Sequence, residues 1–133
     1  MIQQLKTQNS QQILTSEVLE HARQYIEPIL AELKTHLWED IVEGLLNKRF
    51  HLLPLKNSAL ICEFIQYPRL KALNIFLAGG DLKELETLNP HLMDWARDCG
   101  ADRIEIRGRI GWLKLFKKEL DYDKTFIQIS RDL

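Results

Sequence analysis

Cysteine is scarce in this sequence: 133 residues carry only Cys62 and Cys99, with no C-x-x-C spacing. That excludes a disulfide scaffold and a zinc ribbon, and points to a reducing cytoplasm. Net charge is also nearly absent, at -1 from 18 basic and 19 acidic side chains. Such a balance argues against a nucleic-acid surface running over the whole chain. Long apolar runs are missing. The longest, at 58–65, falls far short of the roughly 20 residues that a membrane span needs. No basic start with an apolar segment behind it opens the sequence, so a secretory signal is not expected. The four histidines (His21, His36, His51, His91) are scattered without ligand spacing, and no metal is expected.

What remains is an ordinary globular composition, 45% hydrophobic and 28% charged, of a length that suits one domain. A Gln-rich stretch opens it, with Gln3, Gln4, Gln8, Gln11 and Gln12. It can bury little, so residues 1–15 are expected to be a flexible arm and residues 16–133 the single domain.

Ser16 is an N-cap candidate, with Glu17 and Glu20 in the first turn. Val18, Ala22, Ile26, Ile29 and Leu33 then recur at helical spacing. Pro28 should bend or split this helix. A second helix is predicted over 38–49, with Ile41, Leu45 and Leu46 inward. Segments 50–55, 59–67 and 70–77 read as strands. The short Pro68–Arg69 connection predicts an antiparallel hairpin. Gly79 and Gly80 read as a turn. Asp81 caps a helix carrying Leu82, Leu85 and Leu88, which Asn89–Pro90 restarts and Gly100 ends. A strand over 102–107, a helix over 109–120 and a strand over 125–130 complete the order. A strand–helix–strand unit requires a parallel pair, so the fold class is α+β. The expected sheet is mixed and mostly antiparallel, with helices on its faces.

From residue 58 to 133 this order resembles the GNAT superfamily of N-acetyltransferases. "GRIGWLKLFKKELDYDKTFIQISRDL" is similar to that superfamily's closing helix, glycine–aromatic turn and last strand. "YPRLKALNIFLAGGDLKEL", "WARDCGADRIEIRGRIGW" and "LDY" resemble small GNAT-like proteins of bacteriophages and prophages. The resemblance implies a GNAT-like sheet with N-terminal helices and, in its active form, acetyl-CoA. The superfamily's cofactor loop reads Gln or Arg, two residues, Gly, one residue, Gly or Ala, and sets main-chain N–H groups at a helix start around a diphosphate. Here Ala78, Gly79 and Gly80 occupy that turn. The basic or amide position is Phe76, and the second small position is Asp81, a carboxylate that would repel a diphosphate. The superfamily's frequent catalytic tyrosine would fall at Lys117, beside Phe116, and its closing glycine is Asp121.

Polar residues also stand in the apolar strands: Glu63, Asn74, Glu105 and Arg107. Glu63 or Glu105 is a candidate general base for an amine. The plainer alternative is an ion pair between Glu105 and Arg103 or Arg107. Segment 103–118 carries six basic side chains against Glu105 alone, so Arg107, Arg109 and Trp112 are candidate contacts for an anion or partner. A solvated helix face is favoured over DNA binding there.

Two readings follow. One is a phage-encoded acetyltransferase-like protein with no cofactor. It would act as an internal virion or assembly protein through contacts with other phage proteins or a second copy, first in the host cytoplasm and then in the virion. The alternative is an N-acetyltransferase moving acetyl from acetyl-CoA to an amine.

Overall fold

The computed structural model describes residues 14–106, 114, 122 and 129–133. Most of the helix predicted over 109–120, most of the strand over 125–130 and most of the N-terminal arm lie outside these residues. So do Arg107, Arg109, Trp112, Phe116, Lys117 and Asp121.

Helix α1 is Ser16–Leu33. Its cap is Thr15 rather than Ser16: the Thr15 backbone is extended and its hydroxyl accepts from the Val18 N–H at 3.2 Å. The buried stripe is Ala22, Ile26 and Leu30, while Leu33 is exposed. Pro28 does not split the helix. Proline deprives the carbonyl four residues back of its donor, and both Pro28 and Gln24 face solvent, where water takes the donor's place. Helix α3, Leu82–Asp98, passes through Pro90 unbroken for the same reason, since Pro90 and Glu86 are exposed. Helix α2 is Trp38–Leu46, shorter than predicted because Lys48 takes a left-handed conformation (φ 65°). Its inner face is Trp38, Ile41, Gly44 and Leu45, with Leu46 turned outward.

Strands β1 (His51–Pro54), β2 (Ser58–Gln66), β3 (Lys71–Gly80) and β4 (Arg103–Ile106) form one sheet in the order β1-β2-β3-β4. The first two pairings are antiparallel and β3–β4 is parallel. The β2–β3 hairpin closes with Tyr67 N–H donating to the Leu70 carbonyl at 2.8 Å. Helix α3 ends in a Schellman turn. Gly100 (φ 81°) donates to the Arg97 carbonyl and Ala101 to that of Ala96, both at 2.9 Å.

Register shifts within β3. Ile61 faces Leu77 while Cys62 faces Ile75, so Phe76 is an extra residue, a β-bulge. Successive strand side chains alternate faces. Without the bulge Ile75 and Leu77 would share one side. With it, Leu73 and Ile75 join Leu60, Cys62, Leu88 and Trp95 under α3. Leu77 joins Ile26, Ile41, Leu52 and Ile61 under α1 and α2. The result is three layers with an apolar core on each side of the sheet.

At Gly79 the backbone of α1 approaches the sheet closely. A Cβ placed there would lie 2.3 Å from the Tyr25 carbonyl oxygen, so Gly79→Ala must push α1 away. It should cost about 1–3 kcal/mol in chemical unfolding; an unchanged midpoint would refute the close contact. On the other face His51 lies edge-on to Phe64 and Trp95, at ring separations of 5.6 and 5.7 Å. Burial holds its imidazole below the ordinary 6.5. The unfolded chain therefore takes up this proton first. The His51 contribution is complete above about pH 6.5 and declines as pH falls from there through the lower, folded value. Unfolding free energies of His51→Phe and the parent should diverge between pH 7.5 and pH 5.5, with the parent losing more; parallel curves would exclude it.

Candidate functional site

The β3–β4 ladder is described as far as Ile75 and Ile106. Past the bulge, residues 77–80 of β3 pair with β2, through Leu77–Ile61, Ala78–Leu60, Gly79–Ala59 and Gly80–Ser58. His36, from the α1–α2 connection, lies edge-on to Phe76 at 5.1 Å, and Phe76 stacks on Phe50 at 5.6 Å. Beside them a groove of about 610 Å³ runs between the end of α1 and the start of α2, lined by Glu27, Leu30, Lys34, His36, Trp38 and Asp40.

At the far end of β3 the sequence predicts a turn at Gly79 and Gly80. The structure keeps both in the strand ladder, so Ala78, Gly79 and Gly80 do not form a loop. Asp81 is the single residue between β3 and α3. Its carboxylate accepts from the Lys83 N–H at 3.0 Å, its own N–H donates to the Asn57 carbonyl at 2.9 Å, and its carbonyl accepts from Glu84 N–H at 3.2 Å. The Glu84 carboxylate accepts from Asn57 N–H at 3.0 and 3.2 Å and from the Ser58 hydroxyl at 2.5 Å. Gly80 (φ 109°) leaves room for this turn, since a Cβ there would lie 2.3 Å from the Asn57 carbonyl oxygen. Both carboxylates sit at the positive end of α3, where the helix dipole favours them.

Glu63, Asn74 and Glu105 stand in register across three neighbouring strands. They lie on the α1–α2 face, because their neighbours Cys62, Leu73, Ile104 and Ile106 pack under α3. Asn74 is buried, 3% exposed, and its amide donates to Glu63 Oε1 at 3.3 Å. The two acids differ in their partners. Glu105 has both oxygens engaged, by Arg103 Nε at 3.1 Å and the Tyr67 hydroxyl at 3.2 Å. Among the described residues the second oxygen of Glu63 meets only the exposed Arg49, at 3.9 Å.

Other reactive groups are committed to the core. Burial raises the Cys62 thiol, which stays protonated. Burial also pushes Tyr122 up to about 12, and its hydroxyl donates to Asn89 Oδ1 at 3.1 Å. Among the described residues no group of histidine, cysteine and carboxylate side chains could hold a metal, and no helix is long and apolar enough to cross a membrane.

Sequence reasoning found Glu63, Asn74, Glu105 and Asp81. It missed Glu84, although Asp-x-x-Glu at a helix start is a recognisable signal. It also missed Tyr67, His36 and Phe76, whose neighbours come from distant segments.

No family model matches the chain, and no curated protein matches it. Solved structures do. A transcriptional regulator from Bacillus halodurans superposes with a TM-score of 0.66 at 12% identity, over 90% of this chain and 96% of that one. An aminoglycoside acetyltransferase from an uncultured soil metagenomic sample, solved with sisomicin, gives 0.62 at 11%, over 90% and 93%. Glucosamine-6-phosphate N-acetyltransferase from Arabidopsis thaliana gives 0.54 at 13%, over 99% and 88%. These likenesses concern architecture and carry no sign of a phage origin. Among the described residues, three helices around a four-stranded mixed sheet with a bulge and one parallel pair make this an α+β protein with a GNAT-like fold.

Proposed function

We propose that this chain transfers an acetyl group from a thioester donor of the acetyl-CoA class to an amine. The observation that carries the reading is the half-buried Glu63, held through one oxygen by the buried Asn74 amide on the sheet face toward α1 and α2. Acetyltransferases among the structural neighbours support it.

Glu63 is assigned as the base rather than Glu105. A carboxylate already bonded through both oxygens has little to offer an incoming ammonium, which describes Glu105. Glu63 has one oxygen on Asn74 and the other on a long contact to Arg49. It takes one proton from the protonated amine, directly or through one water. The freed nitrogen lone pair attacks the thioester carbonyl. The C–N bond forms, the C–S bond breaks, and the sulfur leaves with the electron pair. The nitrogen's surplus proton ends on the thiolate, giving amide and thiol.

A second reading keeps the scaffold without a donor and lets it act through protein contacts, with phage proteins or a second copy. The one-residue link at Asp81 and the exposed Leu33, Leu37 and Leu46 favour it.

Thiol release from acetyl-CoA and from the acetyl thioester of N-acetylcysteamine, assayed over a panel of primary amines, decides between the two. Transfer with at least one amine is expected. Glu63→Gln should lower kcat about a hundredfold with the donor KM unchanged. No release above background from either donor would overturn the acyl-transfer reading.

A further inference from the structure

We infer that Asp81 and Glu84 close the α3 N-terminus to a diphosphate, so that the nucleotide end of a CoA-class donor adds nothing to its recognition there. This rests on the acyl-transfer reading and narrows its donor class. A helix start holds a diphosphate through N–H groups left unpaired in its first turn and in the loop before it. Here there is no such loop, because one residue joins the last strand position to the first helical one. The Asp81 N–H is spent on the Asn57 carbonyl, that of Lys83 on the Asp81 carboxylate, and that of Glu84 on the Asp81 carbonyl.

Charge acts in the same direction. Asp81 and Glu84 place two carboxylates within one helical turn, where a diphosphate would meet repulsion at short range. Glu84 cannot simply swing aside, since it holds the main chain of Asn57 and the hydroxyl of the fully buried Ser58. Lys56 and Lys83 are nearby in sequence and exposed, so they offset charge without freeing an N–H. The nucleotide end of a CoA-like donor therefore meets two carboxylates and spent N–H groups of Asp81, Lys83 and Glu84 at the start of α3.

Calorimetry on the full chain with CoA, pantetheine and ADP tests this by binding rather than by turnover. CoA and pantetheine should bind with Kd values within about threefold of each other, and ADP should not bind. Asp81→Asn with Glu84→Gln keeps a competent N-cap and an acceptor for Ser58 while removing two charges. Provided thermal unfolding shows the variant folded, its affinity for CoA should rise about tenfold or more, with pantetheine unchanged. A parent chain that binds CoA more than about tenfold tighter than pantetheine, or binds ADP, overturns the inference and leaves the acyl-transfer reading standing. A chain that binds none of the three overturns both. Should the double variant not fold, the comparison of the three ligands on the parent chain still decides.

Discussion

An extra residue in one strand sets the layout of this molecule. β3 must bury apolar side chains on both faces of the sheet, and strict alternation fixes which residues go where. The bulge at Phe76 resets that alternation in mid-strand. Ile75 can then serve the core under α3 while Leu77 serves the core under α1 and α2. Bulges also bend and twist the strand that carries them. One local irregularity thus divides the apolar side chains of β3 between the two cores.

The end of β3 shows how closely related architectures can differ in what they hold. Two glycines before a helix suggest an anion loop, yet each has a packing reason of its own. Gly79 lets the Tyr25 carbonyl approach, and Gly80 lets the turn at Asn57 pass. The donors that a loop would leave free are consumed locally, by Asp81 as cap and by the tie between Glu84, Asn57 and Ser58. A shared scaffold therefore says little about the ligand until each N–H is accounted for.

The carboxylates on the sheet make a similar point about partners. Glu63 and Glu105 flank the same buried asparagine and share one face, but their hydrogen bonds differ. Glu105 is neutralised by Arg103 and steadied by Tyr67, which is a structural use of a half-buried acid. Glu63 meets a neutral amide and a distant, exposed guanidinium, which leaves it more available to a cationic guest. Pairing is what separates two acids of equal rank in the sequence.

Much of the fold was legible in the sequence. Periodicity marked both N-terminal helices and the three strands that follow. Asp81 announced a cap, Gly100 a helix end, and the strand–helix–strand order a parallel pair. These features depend on a few neighbouring residues, so local chemistry suffices to fix them. Both prolines misled because their cost depends on whether the freed carbonyl faces water, and only the packed helix decides that. The bulge, the burial of Gly79 against α1, the bond from Glu84 to the β1–β2 turn, and the contrast between Glu63 and Glu105 were also invisible. Each is a contact between segments far apart in the chain, and such contacts exist only once two cores have closed on one sheet.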